Sequence, residues 1–92
     1  MSAFRFAVNV TPKPGILDPQ GRAVEGSLGH LGVKGVSGVR VGRRVELTVE
    51  GASEGAAREV IERLARELFS NPLIEAFAVE RLDPSVGDGA GR

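Results

Sequence analysis

The chain contains no cysteine, no tryptophan and no tyrosine, and its one histidine is His30. Without thiols, disulfides and thiolate metal sites are excluded, and a single imidazole is too few for the usual transition-metal ligand sets. Long apolar runs are absent as well. Nothing approaches the roughly 20 residues that cross a bilayer. The opening stretch, residues 1–10, alternates polar and apolar residues where a signal peptide requires an unbroken apolar segment. A soluble, cytoplasmic protein is therefore expected, with no membrane partner. Net charge is also missing: twelve Lys/Arg balance twelve Asp/Glu, which argues against general nucleic-acid binding. The only aromatics are Phe4, Phe6, Phe69 and Phe77, too few for a sheet that stacks bases.

Catalytic groups are equally scarce. Ser2, Ser27, Ser37, Ser53, Ser70 and Ser85 have no evident base partner, and no G-x-S-x-G elbow occurs. The largest group of carboxylates, Glu54, Glu59, Glu62 and Glu67, falls on the polar side of one helix, where solvation explains it. Two glycine-rich stretches, SLGHLG (27–32) and GVKGVSGVRVGRR (32–44), superficially resemble phosphate loops. Neither has the P-loop pattern or the strand–G-x-G-x-x-G–helix context. Lys34, Arg40, Arg43 and Arg44 remain able to meet a phosphate, but turn glycines and strand charges are the plainer account. No catalytic, cofactor-binding or metal-ligating residue is assigned.

What is present is a 92-residue chain, enough for one domain. A domain this small buries only about 60% of its unfolded surface, so its core is thin and association with another chain would help stabilise it. Charge is unevenly placed. Residues 1–45 hold seven Lys/Arg and two Asp/Glu, a balance of +5; residues 46–92 hold five and ten, a balance of −5. Such asymmetry allows copies of the chain to attract head to tail.

Phe4, Phe6, Val8 and Val10 alternate with Arg5, Ala7, Asn9 and Thr11, the pattern of a half-buried strand. Asp18-Pro19 reads as a helix start, with Val24, Leu28 and Leu31 at helical spacing and Gly32 as the stop. Residues 36–50 read as a hairpin: Val39 and Val41 on one strand, Gly42-Arg43 at the turn, and Val45, Leu47 and Val49 on the next strand. Ser53 caps a second helix with an apolar stripe of Ala57, Val60, Ile61, Leu64, Ala65 and Leu68. Arg58–Glu62, Glu59–Arg63 and Glu62–Arg66 are expected pairs on its other face. Asn71-Pro72 ends it. Residues 73–82 are expected to form a last strand with Phe77 and Val79 on one face and Ile74, Ala76 and Ala78 on the other. A strand apolar on both faces is covered on both sides, one cover coming from another subunit.

The resulting order is βαββαβ: an α+β, ferredoxin-like antiparallel sheet with two helices on one face, completed by dimerisation. A single domain spans residues 1–82, and the Gly-rich tail, 83–92, is expected to be disordered.

Two segments hold more than folding demands. KPGILDPQG (13–21) explains Gly15, Asp18 and Pro19 as a loop feeding a capped helix, but not Lys13, Gln20 and Gly21. NPLIE (71–75) places Glu75 at the entrance of an otherwise apolar strand. Together with LGVKGVSGVRVGRRVEL through the hairpin and NPLIEAFAVE at the last strand, these segments resemble PurS, the small-subunit family of phosphoribosylformylglycinamidine synthase. The resemblance runs over roughly residues 4–82 in order.

That resemblance implies a role in de novo purine biosynthesis. The synthase converts formylglycinamide ribonucleotide, ATP and glutamine to formylglycinamidine ribonucleotide, ADP, phosphate and glutamate. It implies a non-catalytic assembly subunit, homodimeric or tetrameric, that bridges a large synthetase subunit (PurL) and a glutaminase subunit (PurQ). ATP and Mg would belong to the complex, with no cofactor on this chain. Lys13, Asp18, Gly21, Arg40, Asn71 and Glu75 are the candidate subunit-contact residues. Two other readings use the same strand order. One is an ACT-like module sensing a small molecule between subunits. The other is a small phosphate-ester or acyl-phosphate hydrolase, disfavoured because TPKPGILDPQG has two prolines where a phosphate loop needs N–H donors.

Overall fold

A computed structural model describes residues 2–82; the expectation for the tail lies outside the described residues. Three strands, β1 (Ser2–Pro12), β2 (Arg43–Gly51) and β3 (Glu75–Leu82), form one antiparallel sheet in the order β2-β1-β3. Helix α1 (Pro19–Leu28) and helix α2 (Glu54–Leu64) lie in the two connections. A short 3₁₀ turn (Gly29–Leu31) extends α1 and a π turn (Ala65–Phe69) extends α2.

The period-2 pattern of β1 sets the register. Phe4 faces Val49, Phe6 faces Leu47, and Val8 faces Val45 on one side and Val79 on the other. These side chains share one sheet face. Ala57, Ile61 and Ala65 of the α2 stripe close on Phe6, Val8, Val10 and Val49 to make the core. Spacing of i, i+4 keeps Ala57, Ile61 and Ala65, the last at the start of the π turn, in one row, and all three are fully buried. Val60 and Leu68, expected in the same stripe, stay 46% and 70% exposed, so the apolar face of α2 is wider than its own chain covers.

The opposite sheet face is polar. Arg44 donates to Glu46 at 2.9 Å, to Glu80 at 2.9 Å and to Asn9 at 3.1 Å, and Arg5 lies 3.6 Å from Glu46. This links side chains from all three strands around Ala7, which is itself fully buried. Ala76 and Ala78 of β3 lie on this face and are exposed in the chain alone.

Two expectations need correction. The segment 36–42 is not a strand, so the sheet has three strands rather than four. In the βαββαβ order the absent strand is the outer one, and its loss leaves the β2-β1-β3 part of the sheet intact. The cause lies in where its N–H groups go: Val39 donates to Glu25 at 2.7 Å and Val41 to Asp18 at 2.8 Å, both on the α1 side. Gly35 and Gly38, with φ of 85° and 70°, break the extended run before them. The segment is a strap along α1, and Gly42-Arg43 leads into β2 instead of turning a hairpin. As a result α1 is bound to the strap and makes little contact with the sheet; α2 and the π turn that extends it pack on the core face.

The second correction concerns α2. Among the described residues its i, i+4 ion pair is Arg63–Glu67 at 3.3 Å, and none of the three expected pairs forms. Arg58 instead lies over the Phe6 ring, 5.6 Å from its centre.

The molecule is a slab. Its dimensions are 52 × 34 × 15 Å, with a radius of gyration of 16.8 Å, against roughly 12 Å for a compact chain of this length. No helix among the described residues is long and apolar enough to cross a membrane.

Candidate functional site

The loop after β1, the start of α1, the strap and the turn before β3 meet beyond one end of the sheet. Asp18 starts the arrangement. Its extended backbone (φ −120°, ψ 90°) places the carboxylate over the first turn of α1, where Oδ1 accepts the Gly21 N–H at 3.0 Å. Oδ2 accepts the Val41 N–H at 2.8 Å. Those backbone donors, Gly21 first and Val41 second, hold the Asp18 carboxyl below its usual range. One side chain thus caps a helix and pins the strap.

Gly21 makes this approach possible. It is buried, and a Cβ there would sit 2.3 Å from the Val39 carbonyl oxygen and 2.6 Å from Asp18 Oδ2. Gly42 answers to the same constraint at the far end of the strap, where a Cβ would fall 2.0 Å from the Val10 carbonyl oxygen.

The second half of the arrangement centres on Glu75. Arg43 grips it with two parallel bonds, Nη1 to Oε2 at 2.9 Å and Nη2 to Oε1 at 2.8 Å, the fork geometry that suits a carboxylate. Nη2 also donates to the Phe69 carbonyl at 2.6 Å. Glu75 Oε1 accepts the Asn71 N–H at 2.7 Å, while the Asn71 side chain accepts the Leu73 N–H at 3.2 Å. The Arg43 guanidinium, followed by the Asn71 N–H, pulls the Glu75 carboxyl below the usual glutamate range. Arg43 therefore ties the start of β2 to the end of α2 and the start of β3. Lys13 closes the ring through its backbone, donating to the Ile74 carbonyl at 2.9 Å.

These elements frame two adjoining concavities that share Ile16, Leu17 and Asp18. The larger, about 560 Å³, is walled by Pro12, Pro19, Val41, Arg43, Ile74 and Glu75. The smaller, about 320 Å³, is bordered by Lys13, Arg22, Glu25, Val39 and Arg40. Of the six residues singled out by sequence, Asp18 and Glu75 line the first, Lys13, Asp18 and Arg40 line the second, Asn71 shapes the Glu75 turn and Gly21 lies beneath. Both carboxylates are committed to N–H donors, so the arrangement positions backbone. Among the described residues no group of three His, Cys, Asp or Glu is placed to hold a metal ion.

Sequence reasoning missed Glu25 as a strap anchor and Arg43 as the partner of Glu75. Glu25 had a signal: it follows Asp18 by seven residues, two helical turns, and so shares its face. Arg43 had none, because its partner is 32 residues away.

Residues 5–83 match the family model described as PurS: Phosphoribosylformylglycinamidine (FGAM) synthase. The chain belongs to the PurS family. It is 37% identical over 78 residues to the phosphoribosylformylglycinamidine synthase subunit PurS of Synechocystis, covering 85% of this chain and 78% of that protein. The PurS subunit of Mycobacterium leprae is 39% identical over 77 residues, covering 84% of this chain and 94% of its own. Among solved structures, a chain in the structure of PurLQS from Thermotoga maritima superposes with a TM-score of 0.81 at 30% identity, covering 89% of this chain and all of that one. Thermus thermophilus PurS superposes with a TM-score of 0.72 at 35% identity, covering 89% of this chain. The PurS fold is thus α+β with an antiparallel sheet and two helices, as the element pattern indicated.

Proposed function

We propose that this chain is the PurS subunit of phosphoribosylformylglycinamidine synthase, the carbon–nitrogen ligase of purine biosynthesis that takes its nitrogen from glutamine. It works in the cytoplasm by assembly, joining a synthetase subunit and a glutaminase subunit, PurL and PurQ, and pairing with further copies of itself. ATP and Mg serve the complex at the synthetase subunit. The observation that carries this reading is the match, over 89% of this chain and all of the other, with a chain of the Thermotoga maritima PurLQS structure.

The physical character of the molecule supports it. Leu17, Leu31, Leu68 and Leu73 are each at least 68% exposed, apolar area that the chain's own core does not use. Among the described residues the outer edge of β2 is unpaired, a row of backbone donors and acceptors open to another strand. Lys13, Asp18, Arg40 and Glu75 line the concavities where partner contacts are proposed, Asn71 braces Glu75 beside them, and Gly21 sets the close packing below.

Reconstitution tests the proposal. Synthetase and glutaminase subunits are mixed with and without this chain, and glutamine-dependent amidine formation is followed. Synthesis is expected only when the chain is present; equal rates without it overturn the reading.

A further inference from the structure

The smaller concavity carries unbalanced charge. Lys13, Arg22 and Arg40 border it, and all three are exposed. Among the described residues none of them enters an ion pair. Among the described residues Arg5, Arg43, Arg44, Arg63 and Arg81 are paired with carboxylates, while Lys34, Arg58 and Arg66 stand outside the concavity without an ion pair; what sets Lys13, Arg22 and Arg40 apart is that they gather at one concavity. Two carboxylates do border the same concavity, Asp18 and Glu25, yet they are turned to the backbone of the strap at Val41 and Val39. Among the described residues these two acids lie beside the three cations without forming an ion pair with any of them.

The lining counts three positive and two negative groups, a residual of one positive charge. A doubly charged phosphate would be drawn by the cations but would face two fixed carboxylates. A single carboxylate matches the residual charge, and two guanidinium forks offer it paired N–H donors. The walls beside the cations are apolar, with Ile16 38% and Leu17 68% exposed, which suits a peptide better than a free anion. We infer that this concavity receives an acidic segment of a partner subunit: an Asp or Glu carboxylate between the cations, with an adjoining apolar side chain against Ile16 and Leu17. The inference rests on the assembly reading above and names the contact through which part of it is made.

The test is assembly of the whole complex with the double variant Arg22→Glu/Arg40→Glu, followed by sedimentation or native mass spectrometry over a range of salt concentrations. Assembly is expected to weaken at least about tenfold and to lose much of its salt dependence, because charges that meet across an interface are screened by salt. Arg22→Lys/Arg40→Lys is expected to recover most of the affinity. Should the double reversal fail to fold, Arg22→Gln and Arg40→Gln carry the same measurement. Assembly of the charge-altered variants within about twofold of wild type, at unchanged salt dependence, overturns the inference. So does stoichiometric binding of inorganic phosphate by the isolated wild-type chain that the variants lose while still assembling normally. Failure of the wild-type chain to support glutamine-dependent synthesis would instead strike at the assembly reading, so the two failures are distinct.

Discussion

Replacing Gly21 with alanine puts a methyl carbon 2.3 Å from the Val39 carbonyl oxygen and 2.6 Å from Asp18 Oδ2. Carbon and oxygen need more than 3 Å, so the strap must retreat or the first turn of α1 must shift. Overpacking of this kind costs about 1–3 kcal/mol. The preference of a helix for alanine over glycine, about 1 kcal/mol, opposes it. Gly26, five residues along the same helix, supplies the control: a Cβ there meets nothing within 4 Å, so Gly26→Ala feels the helix preference alone. The two substitutions, identical in chemistry, are therefore expected to act with opposite sign. Gly26→Ala should raise stability by about 0.5–1 kcal/mol, and Gly21→Ala should lower it by up to about 2 kcal/mol. For a domain of this size each kcal/mol moves the thermal midpoint by about 4–8 °C. The assay is urea and thermal unfolding at one protein concentration, since association shifts both midpoints. Hydrogen exchange at the Val39 and Val41 amides accompanies it. Refutation is simple: Gly21→Ala as stable as Gly26→Ala, with both strap amides still protected, would mean that the close approach of strap and helix does not exist.

Further outcomes follow from other contacts. Asp18→Asn keeps a competent helix cap, because asparagine caps about as well as aspartate, but leaves one acceptor oxygen for two N–H donors. Exchange at Val41 should accelerate while Gly21 stays protected; loss or retention of both together counts against the dual role. Glu75 has a folded-state pKa below its unfolded one, so its contribution is complete above the ordinary carboxylate range, about pH 4–5, and drains away as pH falls through the lower folded value. Acid unfolding of Glu75→Gln should accordingly show a shallower pH dependence below about pH 4.5 than wild type. Ile61→Ala, at a fully buried position, should cost about 2–5 kcal/mol in urea unfolding. Leu68→Ala, 70% exposed, should stay within about 0.5 kcal/mol in the isolated chain.

What could be seen in the sequence was whatever local chemistry decides. Asp18 and Ser53 are caps in the structure as the capping pattern requires, Ser53 accepting the Ala56 N–H at 3.1 Å. The alternation of β1 became the central strand, and Ala57, Ile61 and Ala65 became the helix side of the core. The strap was misread because Val39 and Val41 have the alternation of a strand. That spacing does point their N–H groups to one side, but toward carboxylates on α1, which no β-pattern reveals. Of the candidate residues, Lys13, Gly21 and Glu75 stood out in the sequence as surplus to ordinary punctuation. The grouping of the candidates was not legible, because it depends on Arg43 reaching across 32 residues and on a helix held by a strap instead of by the sheet.

A slab this thin has only a small interior to fall back on. Whatever binds its flanks adds to its stability by mass action, so a copy left without companions is the more exposed to unfolding and proteolysis. Surplus subunits would then disappear faster than assembled ones, and the ratio of this chain to its neighbours would correct itself without any dedicated control.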